Sequence, residues 1–329
     1  MAVSTVLHGS GRNVRVSEET AEKIRKAARE LRYQPNTIAR SLRSHKTSTV
    51  GVVFQHFERL SEDNPYYPQM LNGVMAALFE ENYTLALCPK LVQGDDPVAI
   101  WDGRFDGVLW ARPDFTEASV EKLRHSSIPL VMMHAPPGSA EGVSTFSADN
   151  QGALQLVVKH LAELGHRHIT FVVDEVNEHT AEGRARAAAF MAAIQESGLQ
   201  GEIWIWDERP RTLEQYRSRK RSHTAMATFS DTLAGHLLLT CREIGIQVPR
   251  DLSIVGFDSS SFCDRTTPRL TSVFQPVEQI AYEATTHLLA LIKGGKPGSD
   301  RPTPVSSLYE CGLDVRDSTS SPSSWKIIK

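Results

Sequence analysis

Polar and aromatic side chains recur in this sequence just past short apolar runs, where an open parallel sheet would face solvent. Tyr66, Tyr67 and Gln69 follow the run at 50–54, while Trp110 and Arg112 end the run at 107–110. His134 follows 129–133, and Asp149 opens a helical pattern at 151–164. Arg186 stands early in a helical pattern at 182–197, Ser230-Asp231 ends 225–229, and Asp258 ends 253–257. Rings stack on ring faces while Asp and Arg bond hydroxyls, so these residues suit a small polar molecule such as a sugar or nucleoside. The carboxyl ends of parallel strands are where such sheets bind ligands. A helix cap or a loop position competes with the ligand role at each residue, and Asp149 reads equally well as an N-cap.

Catalytic patterns are missing from the sequence. The stretch after residue 54 carries no GxGxxG, and no GxSxG elbow, HExxH pair or Walker loop occurs. His166-Arg167-His168 lies between Gly165 and a strand, which reads as a surface turn rather than a metal pair. The basic run at 209–221 reads as a solvated helix face. Cys88, Cys241, Cys263 and Cys311 form no CxxC pair, so they are expected as small buried hydrophobes in a reducing compartment. No cofactor, metal or enzymatic activity is expected.

These residues need elements to position them. The 329 residues, 40% hydrophobic and 23% charged, exceed one ordinary domain. Apolar strands are expected at 50–54, 85–87, 107–110, 129–133, 169–173, 203–205, 225–229 and 253–257. They alternate with amphipathic helices at 68–81, 151–164, 182–197, 232–244 and 277–292. Continuous apolar strands with crossover helices mean parallel sheets covered on both faces. So many strands favour two doubly wound units over one. No apolar run is long enough to span a bilayer, and the first residues lack a signal-peptide core, so neither a membrane partner nor export is expected.

Charge divides the chain unevenly. Residues 1–49 hold ten Lys or Arg against four Glu, a balance of +6 that leaves −9 for the remainder of a chain whose net is −3. A basic leader on an acidic body points to a negatively charged partner, nucleic acid before membrane. In the leader, Ser17 followed by Glu18 and Glu19 reads as a helix start, and Ile24, Ala27, Ala28 and Leu31 form an apolar stripe. Pro35 ends that helix, and a second short one is expected at 37–43 with Asn36 as cap. Ahead of both lies a short apolar stretch at 2–7, closed by a plain turn at Gly9-Ser10-Gly11.

Seven stretches together resemble the lactose/galactose repressor (LacI/GalR) family of transcription regulators. They are VSEETAEKIRKAARELRYQPNTIARSLRSHKTSTVGVV at 16–53, NPYYPQMLNGV at 64–74, FDGVLW at 105–110 and DN at 149–150. HLAELGHRHITFV at 160–172, VPRDLSIVGFDSS at 248–260 and PRLTSVFQPVEQIAYEA at 268–284 complete the set. The resemblance implies a small helical DNA-binding headpiece with a hinge helix at 1–48. After it comes a two-lobed α/β core like the type I periplasmic binding proteins. The first lobe would hold 49–148 and 277–302, the second 149–276 and 303–317, with a disordered tail at 318–329.

By the same resemblance the protein would be a cytoplasmic homodimeric repressor of operator DNA, switched by a small effector. Ser4 and Thr5 fall in the latter half of the family's recognition helix. Ala39 and Leu42 fall on the hinge positions that enter the minor groove, Leu42 as the wedge that opens a base step. Asn36, Arg40 and Arg43 complete the expected DNA-contacting residues. Tyr67, His134, Arg186, Ser230 and Asp258 fall on effector-contacting positions; Trp110 and Asp149 join them from the strand-end reading. The family commonly has an acid where His134 stands and Asn where Ser230 stands, and the segment 204–224 matches poorly. The family's first helix and the start of its recognition helix have no counterpart ahead of Met1, so a shortened headpiece is expected. A sensor that no longer binds operator DNA and a solute-binding protein are the alternatives.

Overall fold

A computed structural model describes residues 2–8, 16–33, 41, 46–54, 65–88, 103–111, 128–206, 224–294 and 303–322. Two compact units divide at Thr47/Ser48.

In the smaller unit, α1 (Ala2–His8) and α2 (Glu18–Glu30) are the described helices. The apolar stretch at the start of the chain is therefore helical. Ser17 caps α2 as its sequence suggests, with its Oγ accepting from the Thr20 backbone N–H at 3.3 Å. The four acids of this helix are used within it. Glu19 meets Lys23, Glu18 and Glu22 meet Arg25, Glu22 also meets Arg29, and Glu30 meets Lys26. All these pairs are exposed, so each adds little stability.

The larger unit contains two sheets with one shared plan. In the first, β1 (Thr49–Phe54), β2 (Thr84–Cys88), β3 (Gly107–Ala111), β4 (Leu130–Met133), β5 (Ser144–Ala148) and β11 (Ser306–Tyr309) run in the order β11-β5-β4-β3-β1-β2. All the pairings in it are parallel. In the second, β6 (His168–Asp174), β7 (Gln200–Trp206), β8 (Ala225–Thr228), β9 (Ser253–Asp258), β10 (Thr271–Phe274) and β12 (Gly312–Asp314) run β12-β10-β9-β8-β6-β7. Here only β12 is antiparallel, against β10. Each sheet thus repeats a second-first-third-fourth-fifth order, whose switch point lies between its first and third strands.

Side-chain alternation explains why both faces are covered. On β1, Val50, Val52 and Phe54 join Leu109, Val131 and Met133 in one core, while Val53 joins Val108, Trp110 and Met132 in another. Helices α3 (Tyr66–Glu80) and α7 (Val277–Gly294) pack on the first sheet. In α7 the stripe Val277, Ile280, Ala281, Ala284 and Leu288 is buried. Gly73 lets the two helices meet, because a Cβ there would lie 2.1 Å from the Glu278 carbonyl oxygen. Helices α4 (Asn150–Glu163), α5 (Ala181–Glu196) and α6 (Asp231–Glu243) serve the second sheet.

The chain passes between the lobes three times: from β5 into α4, from β10 into α7, and from β11 into β12. The boundaries expected near the C-terminus need two corrections. Ser306–Tyr309 was expected in the second lobe, yet it pairs with β5 of the first, because its backbone continues that sheet's parallel ladder. The expected disordered tail is ordered at its start. Ser318 Oγ donates to the Ile254 carbonyl at 2.5 Å and accepts from the Thr271 N–H at 2.9 Å. His166 is also corrected, since it is 1% exposed rather than on a surface turn. Its Nδ1 lies 2.7 Å from Thr224 Oγ1, and its Nε2 lies 3.1 Å from Ser253 Oγ of β9 and 3.0 Å from the Ser320 carbonyl, tying residue 320 to β9. The four cysteines are buried and unbridged.

Candidate functional site

In the first lobe, the site is built of rings. Tyr66 and Tyr67 open α3 just past β1, and both are buried. Their rings meet edge to face at 5.3 Å, Tyr67 meets Phe54 at 5.5 Å, and Tyr66 meets the His134 imidazole at 5.1 Å. His134 follows β4 with φ +51°, a left-handed conformation that non-glycine residues seldom adopt. The Phe146 carbonyl holds its backbone N–H at 2.7 Å. Tyr67 and His134 are therefore neighbours through Tyr66, as their strand-end places suggest.

Trp110 is the exception in this lobe. It points to the opposite face of the sheet, 2% exposed, and packs with Val53, Phe105 and Met132. A strand alternates its faces, and Leu109 and Ala111 take the side that leads to the rings. Trp110 is thus core, and Arg112 lies outside the described residues.

In the second lobe, the site is built of charges around Arg186. This side chain is 3% exposed. Its Nε donates to Asn150 Oδ1 at 3.1 Å, its Nη1 to the Phe229 carbonyl at 2.6 Å, and its Nη2 to Glu182 Oε1 at 3.2 Å. The guanidinium lies 3.7 Å from the Phe257 ring centroid and 4.6 Å from that of Phe229, a cation–π contact on each ring. These partners are the chain neighbours of Asp149, Ser230 and Asp258. Arg186 therefore touches the chain neighbours of three other expected effector residues.

Two of those three have their polar atoms engaged as caps. Asp149 Oδ1 accepts from the Gly152 N–H at 3.0 Å, and Ser230 Oγ accepts from the Leu233 N–H at 3.3 Å. Asp231, beside Ser230, turns inward. Its carboxylate accepts from Ser260 N–H and Oγ, Cys263 Sγ and Ser272 Oγ. Burial pushes its carboxyl pKa up. That buried acid anchors a strained turn: Asp258 has φ +120° and Ser259 φ +45°. Ser272 Oγ accepts the Ser259 N–H at 3.0 Å, and Gln275 Nε2 reaches Asp258 Oδ1 at 2.5 Å.

Reading the sequence by strand ends misses Glu182, Ser147 and Gln275. Glu182 is 2% exposed, accepts from Asn150 Nδ2 at 3.0 Å, and accepts from Ser147 Oγ of the first lobe at 3.4 Å. The i, i+4 spacing from Arg186 was its only signal, and that spacing usually marks an exposed helix pair. Of the expected DNA-contacting residues, Ser4 and Thr5 lie on α1. Asn36, Ala39, Arg40, Leu42 and Arg43 lie outside the described residues, as does the basic run at 209–221. No group of three or more potential metal ligands occurs among the described residues.

The chain matches known proteins in sequence and in fold. Residues 47–212 match the family described as periplasmic binding proteins and sugar binding domain of LacI family, and 158–319 match a periplasmic binding protein-like domain. The HTH-type transcriptional repressor PurR of Vibrio parahaemolyticus is 30% identical over 305 residues, 89% of either chain. The chain belongs to the LacI family of transcriptional regulators. PurR of Erwinia tasmaniensis is 29% identical over 301 residues, covering 88% of this chain and 86% of that one. Among solved structures, a complex of the transcriptional regulator CelR with cellobiose is 26% identical with a TM-score of 0.71, covering 96% of this chain and 94% of that one. The lac repressor dimer bound to operator and the anti-inducer ONPF has the same fold, with a TM-score of 0.79 at 20% identity over 97% of this chain and 94% of that one. The chain is accordingly a ligand-controlled transcriptional repressor and not an enzyme. No helix among the described residues is long and apolar enough to cross a membrane.

Proposed function

We propose that this repressor acts in the cytoplasm as a homodimer on a two-fold symmetric operator, released or recruited by a small, hydroxyl-rich effector of the sugar or nucleoside kind. The observation that carries the effector class is Arg186, held between the Phe257 and Phe229 rings at the strand ends of the second lobe. Flat rings and fixed hydrogen-bonding groups are what a polar ring-shaped ligand needs. Tyr67, His134, Asp149, Ser230 and Asp258 complete the effector site in this reading. Ser4 and Thr5 on α1, with Asn36, Ala39, Arg40, Leu42 and Arg43, form the DNA-contacting set. A palindromic operator requires a two-fold partner, which is the argument for the dimer.

Selection from a random duplex library on the full chain tests the reading. The expected outcome is an enriched palindrome, bound with a log–log salt slope of several phosphates and altered by one member of a sugar and nucleoside panel. Enrichment of no sequence, with binding that ignores every panel member, would overturn it.

A further inference from the structure

Arg186 by itself would make an anion site, because a guanidinium bonds phosphate and carboxylate in fork geometry. This one is not left by itself. Glu182 lies one helical turn away with its Oε1 3.2 Å from Nη2, and the two side chains are 2% and 4% exposed. Asn150 closes a ring, taking Arg186 Nε on its Oδ1 and giving its Nδ2 to the same Glu182 oxygen. Asp149 and Asp258 are the chain neighbours of Asn150 and Phe257.

We propose that Glu182 makes this site select against anionic effectors, holding Arg186 neutralised so that it takes an uncharged polyhydroxylated ligand. The proposal rests on the effector reading above. The Glu182 carboxylate cancels the guanidinium charge, so an approaching phosphate finds no net positive charge where water screens poorly. A neutral polyol suits both signs. Arg186 has five N–H groups, and the three bonds it makes to described residues leave two for a hydroxyl oxygen. Carboxylate oxygens accept the hydroxyl protons. The Cys311 thiol, within electrostatic reach of Arg186, Asp149 and Glu182, is pushed up to about 12 by burial and adds no charge.

The test titrates inorganic phosphate into the full chain without DNA, at fixed ionic strength, following binding by calorimetry and by the melting midpoint. The wild type is expected to show no binding that depends on Arg186. Glu182→Gln should bind phosphate at least tenfold more tightly, and Glu182→Gln/Arg186→Gln should lose that gain. Glu182→Asp, which keeps the charge, should behave as wild type. Equal phosphate binding by wild type and Glu182→Gln, lost in Arg186→Gln, would overturn the proposal, as would a Glu182→Gln chain that folds and gains nothing. Should Glu182→Gln fail to fold by circular dichroism, Glu182→Ser repeats the comparison. If neither neutral variant folds, the wild type decides against Arg186→Gln. Arg186-dependent binding of phosphate or glucose 6-phosphate overturns the proposal, and its absence supports it. An operator that ignores every panel sugar would instead count against the proposed function, leaving the phosphate result to stand.

Discussion

The two lobes place their site residues at equivalent points of one topology and fill them with opposite chemistry. Tyr67 opens the helix after the first strand of its sheet, and Arg186 lies in the helix after the first strand of the other. His134 directly follows the fourth strand of its sheet and Asp258 ends the fourth of the other, and each has a left-handed φ, +51° and +120°. One lobe answers with edge-to-face rings and the other with an ion pair inside a hydrogen-bonded ring of side chains. In the proposed effector site, a shared backbone plan would fix where a ligand is met, and the residue types which part of it each lobe reads. Rings tolerate small shifts, whereas a buried ion pair depends on both partners.

That difference predicts the largest effect. Arg186→Met leaves Glu182 buried without its cation, which should cost about 3–5 kcal/mol. Urea unfolding measures it, and adding Glu182→Gln should return part of the loss. Tyr67→Leu in the first lobe keeps an apolar body and should cost less. If Tyr67→Leu costs as much as Arg186→Met, the contrast between the lobes fails.

The next effect concerns the strained turn at Asp258. Asp231→Ala removes the acceptor of four hydrogen bonds from Ser260, Cys263 and Ser272. Leaving such donors buried costs about 1–3 kcal/mol each before relaxation, so a net loss of about 3 kcal/mol is expected. Because the same network presents Asp258, operator response to effector should weaken with it. A variant that loses stability while its effector response stays wild-type would separate the turn from the site.

In the first lobe the matching weak point is a contact between helices. Gly73→Val would push a side chain against the backbone of α7 at Glu278, and overpacking of this kind costs about 1–3 kcal/mol. Denaturant midpoints unchanged by Gly73→Val would show that α3 and α7 can part without cost.

Much of this was legible in the residues. Period and punctuation disclose α4, because Asp149 caps it and Gly165 follows its end. They disclose β9 equally well, because Ile254, Val255 and Phe257 make a short apolar run between Leu252 and Asp258. Strands β5, β10, β11 and β12 escape, since Ser144–Ala148 and Thr271–Phe274 carry Ser and Thr where a buried strand usually shows Val or Ile. Their polar side chains are satisfied by long-range partners, such as Ser272 with Asp231 and Thr145 with Ser306. For the candidate site, strand-end logic singles out Arg186 and Tyr67, which follow strands by sequence and lie in the charged and the aromatic cluster. It misplaces Trp110, where one residue of alternation decides the face. It misses Glu182, because burial of a charge depends on partners far along the chain.

The smallest expected effect is a pH slope, and it again sets one lobe against the other. His166 in the second lobe and His287 in the first are both held below the ordinary imidazole pKa by burial. His287 Nε2 lies 3.0 Å from Ser144 Oγ, whereas His166 has Thr224, Ser253 and the Ser320 carbonyl around it. A depressed folded pKa means that the unfolded chain binds the proton more readily. Each histidine therefore leaves stability intact above about 6.5, the unfolded value, and removes it as pH falls from there to the folded pKa. The slope from one such group is at most about 1.4 kcal/mol per pH unit. His166→Gln and His287→Gln should each flatten the fall in unfolding free energy between about pH 6.5 and 5. The larger flattening is expected for His166, which is 1% exposed. Equal slopes for both variants and the wild type would mean that neither imidazole is held neutral by the fold. A larger change for His287→Gln would place the acid-sensitive point in the ring-bearing lobe instead.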